Sequence, residues 1–268
     1  MIVLTGATGF VGRHVLEAAA ARDEEVVCLV RGPAPDLLEW PGVQLRSWDT
    51  LADWRSLRPR ALVHVAAAGV QPGDREPAAL EAGNRELTLN LLEAARDWPL
   101  EAVVHVGSCA EYGQVGPELV REDRPDCTPG QLSPYGAAKL RASLAALDFA
   151  RGHGLPLVVA RLFNVFGPGE APARLLPYLV GQLRRGQPAD LSPGTQVRDF
   201  TYVANVVDGV LRACTAPKAS GHAINVATGG RISLLELLAA LNRVMGTHAS
   251  PEFGPARVGD VKDSQAAI

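Results

Sequence analysis

The chain has 268 residues, 47% of them hydrophobic, and a formal net charge of -3. A chain of this length can bury a full core, and we expect one main domain with a smaller appendage. Its lysines and arginines do not cluster as in proteins that bind nucleic acid, and no apolar run reaches the ~18 residues that a membrane-spanning helix needs. We therefore expect neither a nucleic-acid partner nor a membrane.

The four cysteines and six histidines are scattered along the chain, without the spacing of a metal site. We expect reduced thiols and no bound metal. Met1–Leu4 lead straight into a predicted strand, with no basic segment or cleavage site before it. The sequence therefore predicts a cytoplasmic protein rather than a secreted one.

A glycine-rich turn, G-x-x-G-x-x-G, stands between a predicted strand, Ile2–Thr5, and an alanine-rich helical stretch, Arg13–Arg22. Glycines let the backbone approach a diphosphate closely, and the free N–H groups of a helix start attract its charge. The order of strand, turn and helix predicts dinucleotide binding. The predicted contacts are Gly6, Thr8, Gly9, Phe10, Val11 and Gly12.

The second predicted strand, Glu25–Val30, ends where NAD-binding proteins usually carry an acid for the adenosine ribose. Here Arg31 follows instead, and a guanidinium suits the 2′-phosphate of NADP. We therefore expect NADP, with NAD as the alternative and an ordinary solvated arginine as the other interpretation. Asp49 or Asp53, after a third strand at Val43–Ser47, is predicted to face the adenine, and the alternative for either is to cap a helix.

Further buried strands are predicted at Ala61–Val65 and Val103–Val106, separated by a helix over Asn84–Trp98. The small residues Ala66 and Ala67 follow the first of these strands. They would let a flat cofactor lie close to the backbone, so both are predicted cofactor contacts.

Ser133 and Pro134 form a typical helix start, with serine as the N-cap and proline at the first position. Tyr135 and Lys139 then lie one turn apart on the same face, where an ammonium lowers the pKa of a phenol. Such a pair can move a proton to or from a carbonyl oxygen. Ser108 follows a strand at the sheet edge where ligands bind, and it is predicted to donate to the same oxygen. The alternative is a packed tyrosine and a solvated lysine.

After a sixth predicted strand, Leu157–Ala160, prolines interrupt the alternation of strands and helices. The sequence therefore predicts an α/β fold with a Rossmann-type doubly wound parallel sheet over residues 1–165. A smaller C-terminal substrate-binding α/β subdomain is expected mainly over residues 166–268, with returns to the main sheet near 199–227.

In this order the segments resemble the extended short-chain dehydrogenase/reductase family, the NAD(P)-dependent epimerase/dehydratase group that acts on nucleotide-diphospho-sugars. The resemblance covers essentially the whole chain. It rests on Thr5-Gly6-Ala7-Thr8-Gly9-Phe10-Val11-Gly12, His64-Val65-Ala66-Ala67, Ser108 with Tyr112-Gly113, Pro134-Tyr135 with Lys139, Asn164 with Gly167-Pro168-Gly169, Arg198-Asp199-Phe200, and Arg257 with Gly259-Asp260.

The resemblance implies that Tyr135 gives or takes the proton, that Lys139 contacts the nicotinamide ribose and tunes the tyrosine, and that Ser108 contacts the reacting oxygen. It also implies a homodimer, because members of the family pair two of their helices into a four-helix bundle.

The substrate side is implied by the same resemblance. Asn164, Arg198 and Arg257 would contact the diphosphate of the sugar nucleotide, an anion that guanidinium groups suit. The alternative for each arginine is a structural ion pair, such as Arg198 with Asp208.

Departures from the family pattern narrow the predicted reaction. Cys109 and Ala110 stand where the 4,6-dehydratases have an Asp-Glu pair, and Glu111, one place further on, should point elsewhere. The motifs around Ser108 and Arg198 look most like those of GDP-4-keto-6-deoxymannose reductases. Together with NADP, they predict NADPH-dependent reduction of a nucleotide-diphospho-4-keto-6-deoxy sugar.

Three other functions are compatible with the same residues. The first alternative is a nucleotide-sugar epimerase with tightly bound NAD(P). A cofactor-sensing protein without chemistry and a reductase of a small carbonyl compound are the others.

Overall fold

The computed structural model describes residues 1–50, 54, 57–70, 76–116, 118–123, 132–255 and 261–268. Its strands are β1 (Ile2–Thr5), β2 (Val26–Val30), β3 (Val43–Ser47), β4 (Ala61–His64), β5 (Ala102–Ser108), β6 (Leu157–Leu162), β7 (Val165–Phe166), β8 (Ala189–Leu191), β9 (Val197–Arg198), β10 (Thr201–Tyr202), β11 (Ala223–Val226), β12 (Ile232–Ser233), β13 (Pro251–Phe253) and β14 (Asp263–Ser264). Its helices are α1 (Phe10–Ala20), α2 (Pro77–Glu81), α3 (Leu87–Ala95), α4 (Pro134–His153), α5 (Leu175–Arg184), α6 (Val203–Ala213) and α7 (Leu234–Met245).

The centre of the fold is a parallel sheet, which within the described residues has seven strands in the order β11-β6-β5-β4-β1-β2-β3. The order reverses between β1 and β4, and such a switch point opens a crevice at the carboxyl ends of the strands. The predicted Rossmann-type α/β fold is confirmed. Strands β1 and β3 have the predicted bounds, whereas α1 starts at Phe10, one turn earlier than predicted.

Helices cover both faces of this sheet, which explains why its strands read as continuous apolar runs. Helices α1 and α6 pack on one face, over a core that includes Leu4, Val63 and Val104. Helices α3 and α4 pack on the other face, over Val3 and Leu62. The glycine turn leads into α1 on the first face, and α4, which carries Tyr135 and Lys139, lies on the second face.

The helix predicted over Asn84–Trp98 is interrupted. A single π-helical turn, Ala82–Glu86, separates α2 from α3, and α3 ends at Ala95. The Asn84 side chain is buried and donates to Leu80 O (2.8 Å) and Ala68 O (3.2 Å). This side chain competes for backbone carbonyls within the helix, and such competition is a known cause of local helix distortion.

The C-terminal third forms small sheets beside the main one. The pairs are β7 with β10, β8 with β13, and β9 with both β12 and β14. Helices α5 and α7 enclose a separate leucine cluster around Leu179 and Leu238. Strand β11 returns to the edge of the main sheet beside β6. The boundary near residue 165 and the substrate role of residues 166–268 stay predictions.

Three further observations concern the described residues only. No helix there combines the length and the apolar character needed to cross a membrane. No group of three or more His, Cys, Asp or Glu side chains there is placed to hold a metal ion. Cys28, Cys109 and Cys214 are free thiols, and Cys127 lies outside the described residues.

Candidate active site

The glycine turn closes tightly against the turn that follows β4. Gly6 has a left-handed φ of 74°, and a Cβ at this position would lie 2.7 Å from the backbone N of Ala66. A Cβ on Gly12 would lie 2.0 Å from Gly6 O. Both positions therefore require glycine, and the two turns meet at the switch point of the sheet.

The start of α1 is suited to a diphosphate. Gly9 is its N-cap, no side chain caps its free N–H groups, and no acidic residue lies in its first turn. These N–H groups and the helix dipole attract an anion. The residues present therefore fit a dinucleotide, with Thr8, Phe10 and Val11 lining the same turn. Ala67 follows Ala66 in the turn after β4.

A groove continues from the glycine turn to the end of β2. Its lining consists of Gly6, Thr8, Leu29, Val30, Arg31, Gly32, Pro33, Trp48 and Ala66, with no carboxylate among them. Arg31 therefore lies where the adenosine ribose of a dinucleotide is expected. Asp49 is exposed and accepts a hydrogen bond from Ser47 Oγ (3.2 Å), outside this lining. Its contact with adenine stays a prediction, and Asp53, the other candidate, lies outside the described residues.

A chain of hydrogen bonds through hydroxyl and imidazole groups fixes the turn that follows β4. Thr5 Oγ1 accepts from the backbone amides of Val65 and Ala66, both at 3.1 Å, so its proton is directed to His64 Nδ1 at 2.7 Å. His64 Nε2 then donates to Thr88 Oγ1 at 2.9 Å. Burial lowers the pKa of His64 to about 3, so this imidazole is neutral and adds no charge beneath the site.

Ser108 ends β5 and begins a short 3₁₀ helix, Cys109–Tyr112. Its hydroxyl oxygen accepts from the backbone N of Ala110 (3.2 Å), which leaves its own proton available to a neighbouring oxygen. The side chain of Cys109 is half-buried, and burial raises the pKa of its thiol. Ser108 thus lies at the carboxyl end of β5, and its contact with the reacting oxygen stays a prediction.

Tyr135 lies in the first turn of α4. Ser133 Oγ caps this helix by accepting from the N–H of Gly136 (3.1 Å), and Pro134 occupies its first position. Burial raises the pKa of the Tyr135 phenol to about 12, whereas a hydrogen bond with Ser108 lowers it. The structure therefore brings Ser108 and Tyr135 together, as the sequence predicts.

Lys139 lies one turn further along α4, with its side chain buried. Its ammonium donates to Val106 O at 2.7 Å, and burial lowers its pKa to about 8. His105, on β5, is a second buried imidazole close to this ammonium, and burial lowers its pKa well below the ordinary value. Among the buried side chains of His64, His105 and Lys139, Lys139 is thus the one cation.

Two residues near Tyr135 were missed by sequence reasoning. The guanidinium of Arg174, the N-cap of α5, is close enough to lower the pKa of Tyr135. Glu170 lies 3.7 Å from Arg174, and burial raises the pKa of its carboxyl. No sequence pattern marks this pair, because it follows the Gly167-Pro168-Gly169 motif in an irregular segment.

The predicted diphosphate contacts have structural partners. The amide of Asn164 donates to Asp199 O (3.0 Å) and to Ser264 Oγ (3.1 Å). Arg198 donates to Val197 O (2.9 Å) and to Lys262 O (3.2 Å). Their contacts with substrate stay predictions, and Arg257 lies outside the described residues.

Asp208, the alternative partner considered for Arg198, pairs instead with Arg212 (2.6 Å) and with Arg22 (3.8 Å). Asp199, next to Arg198, has a structural role that the sequence does not reveal. Its buried carboxylate accepts from Thr228 and from the N–H of Gly229.

Comparisons with known proteins agree with this geometry. Residues 2–227 match the model of the family described as NAD dependent epimerase/dehydratase family. The UDP-glucose 4-epimerase of Mycolicibacterium smegmatis is 28% identical, over 98% of this chain and 88% of its own length. The UDP-glucuronate 4-epimerase of Thermodesulfobacterium geofontis is 32% identical, over 78% of this chain and 64% of its own length.

A solved structure is similar over the whole chain. It is that of UDP-glucuronic acid 4-epimerase from Bacillus cereus in complex with UDP-glucuronic acid and NAD, with a TM-score of 0.87 and 27% identity, and the match covers 100% of this chain and 90% of that one. The glycine turn, the serine at the end of β5 and the tyrosine and lysine of α4 stand on a fold of the same kind. The chain belongs to the NAD dependent epimerase/dehydratase family.

Proposed function

We propose that the protein is a nucleotide-sugar 4-epimerase that oxidises the substrate at C4 and reduces it again within one active site. The observation that carries the proposal is the juxtaposition of Ser108 and Tyr135 at the carboxyl edge of the sheet, with Lys139 buried one turn away. The similar proteins named above are 4-epimerases, which supports this reaction over the net reduction expected from the sequence.

Each of the three residues has a proposed task. Tyr135 takes the proton from the 4-hydroxyl group and returns it to the 4-keto oxygen. Ser108 donates a hydrogen bond to that oxygen and stabilises the charge that develops on it. Its hydrogen bond with Tyr135 also lowers the pKa of the phenol. Lys139 contributes a fixed positive charge beside the site. The glycine turn and the start of α1 would hold a nicotinamide cofactor, which when bound would supply the hydride chemistry at C4.

The proposed cofactor contacts are those expected from the sequence. Those at the two turns of the switch point and in the groove beside β2 are Gly6, Thr8, Gly9, Phe10, Val11, Gly12, Arg31, Ala66 and Ala67. The others are Asp49, after β3, and Tyr135 and Lys139, on α4. The proposed substrate contacts are Ser108, Asn164, Arg198 and Arg257. We further propose that residues 166–268 form most of the substrate side, and that the enzyme is a cytoplasmic homodimer.

NADPH-dependent reduction of a 4-keto-6-deoxy sugar is the second candidate. Arg31 favours it, because a guanidinium in the groove beside β2 suits a 2′-phosphate, and the described residues that line this groove include no carboxylate to bind a 2′-hydroxyl. Solved relatives with bound NAD give no support to a preference for NADP. Dehydration is disfavoured, because Cys109 and Ala110 are not acids and Glu111 is buried beneath the turn.

Turnover can distinguish the two candidates. The protein as isolated would be incubated, without added reductant, with UDP-glucose, UDP-glucuronic acid and their 4-epimers, and the anomeric proton signals would be followed by NMR. We expect one pair to interconvert until equilibrium. Stoichiometric NADPH oxidation with a 4-keto-6-deoxy sugar, and no interconversion in any pair, would instead establish the reductase.

Two measurements accompany this assay. Identification of the nicotinamide released on denaturation decides between NAD and NADP. Tyr135→Phe should lower kcat by about 10² to 10⁴, the usual contribution of general acid-base catalysis, while cofactor binding stays near wild type. Full turnover in this variant would show that Tyr135 does not transfer the proton.

A further inference from the structure

Glu111 places a carboxylate under the turn that carries Ser108, with its side chain fully buried. Its Oε1 accepts from the backbone N–H of Ser108 (2.8 Å) and from the hydroxyl of Ser143 (3.0 Å). Its Oε2 accepts from Nε of Arg161 (2.8 Å). One side chain thus connects the end of β5, helix α4 and strand β6.

The surroundings accommodate this acid specifically. A Cβ on residue 107 would lie 2.5 Å from Glu111 Oε1, so Gly107 leaves the space that the carboxylate fills. Arg161 supplies the opposite charge, and its guanidinium lies 4.5 Å above the ring of Tyr112. A buried carboxylate without an opposite charge is strongly disfavoured, so the Glu111 carboxylate depends on the Arg161 guanidinium.

The link to α4 lies on its catalytic face. Ser143 is four residues beyond Lys139 and eight beyond Tyr135, so all three side chains share one face of the helix. The first turn of α4 also contacts the serine turn directly, because a Cβ on Gly136 would lie 2.3 Å from Ala110 O. Two sets of contacts therefore fix the distance between Ser108 and Tyr135. One is the pair of hydrogen bonds from Ser108 and Ser143 to Glu111, and the other is the packing of Gly136 against Ala110.

We propose that Glu111 is a positioning residue of the active site, whose buried carboxylate fastens the Ser108 turn to the helix that carries Tyr135 and Lys139. This inference rests on the proposed function, because the assay follows the proposed reaction. The contacts of Glu111 do not depend on that function. Glu111 is covered and acts through Ser108 and Ser143 rather than on substrate. Burial has the largest effect on the pKa of Tyr135 and on that of Lys139. The negative charge of Glu111 is a further cause, and it raises the pKa of both groups.

Two double variants isolate the positioning hydrogen bonds from the buried charge. Glu111→Gln with Arg161→Met removes both charges but retains a carbonyl oxygen for Ser108 and Ser143. Glu111→Ala with Arg161→Met removes the charges and the acceptor. Because both lack the ion pair, any difference between them reports the buried side chain that carries the acceptor and not the charge.

We expect the glutamine double variant to keep kcat within about tenfold of wild type. The alanine double variant should lose about 100-fold in kcat, the effect of a small misplacement of reacting groups, while KM for the nucleotide sugar changes less than about threefold. Equal kcat values in the two variants, or a loss confined to KM, would overturn the proposal. Glu236→Gln, the same change in a remote Ser-x-x-Glu cap, is the matched control.

A second readout does not require turnover. Amide hydrogen exchange of the peptide that contains Ser108 should be protected in wild type and in the glutamine double variant, and faster in the alanine double variant. Equal protection in both would refute the positioning role even for an active enzyme. If wild type interconverts no nucleotide sugar but exchange differs as expected, the proposed function fails and the role of Glu111 stands.

Discussion

Two capping boxes in this protein share one sequence pattern but differ in what they connect. Ser233-x-x-Glu236 begins α7, with Glu236 Oε2 accepting from Ser233 N (2.7 Å) and the N–H of Glu236 donating to Ser233 Oγ (3.2 Å). Ser108-x-x-Glu111 has the same reciprocal bonds at the start of a 3₁₀ helix. Glu236 is exposed, whereas the Glu111 carboxylate also binds Arg161 and Ser143.

Burial explains the difference. At α7 the cap satisfies helix N–H groups that water could also reach, and the hydrogen bond from the Ser233 backbone lowers the pKa of Glu236. Under Ser108 no water competes, so the carboxylate must be satisfied by distant parts of the chain. The same local motif is therefore a helix start in one place and a junction of three elements in the other.

Among the variants considered for the two capping boxes, removal of the buried acid alone should cause the largest loss of unfolding free energy. Glu111→Ala leaves Arg161 buried without its carboxylate, and loss of one partner of a buried pair costs about 3 to 5 kcal/mol of unfolding free energy. Urea denaturation followed by circular dichroism measures this change. A loss below about 1 kcal/mol would mean that the two boxes are energetically alike.

The next largest effect is expected at the contact between the Ser108 turn and α4. Gly136→Ala introduces a methyl group 2.3 Å from Ala110 O, a backbone atom that cannot turn aside. Overpacking of this kind costs about 1 to 3 kcal/mol, and it should also lower kcat by separating Ser108 from Tyr135. Gly152→Ala in the last turn of the same helix, where a Cβ meets no atom within 4 Å, is the control.

A smaller effect is expected when one donor to Glu111 is removed. Ser143→Ala deletes the link to α4 but leaves the bonds from Ser108 and Arg161 in place. The loss of one buried hydrogen bond corresponds to about 1 kcal/mol, measurable by denaturation. A decrease in kcat larger than that of the alanine double variant at Glu111 would assign the positioning role to Ser143 instead.

The smallest effect is expected at the exposed box. Glu236→Gln retains an acceptor for Ser233, and its melting temperature should lie within about 2 °C of wild type, with unchanged kcat. Differential scanning calorimetry and the epimerisation assay test this expectation. A large decrease in kcat would show that α7 communicates with the active site, which no contact described above suggests.

The sequence predicts the parts of this molecule that depend on local pattern. An apolar run locates β1, and an alternation of apolar and polar residues locates β3. Glycines locate the cofactor turn, and serine followed by proline locates the start of α4. The pattern Ser-x-x-Glu is equally visible at Ser108 and Ser233. These features depend on neighbours within a few residues, so the local sequence is enough to predict them.

The rest depends on contacts between distant residues. Arg161 lies 50 residues from Glu111, and Arg174 is 39 residues from Tyr135, so no local pattern places them at the site. The π turn at Ala82–Glu86 contains a buried Asn84 whose side chain contacts Ala68, 16 residues earlier in the chain. The small C-terminal sheets pair strands of two or three residues, which are too short for a periodic signal.

The most direct test of the central claim follows the hydrogen at C4. A nucleotide sugar that carries deuterium at C4 would be converted to its epimer in the presence of excess unlabelled nicotinamide cofactor, and the product analysed by NMR and mass spectrometry. The account predicts that the product keeps its deuterium at C4 through many turnovers, because hydride leaves and returns within one active site. Loss of the label to solvent or to the free cofactor would contradict this account.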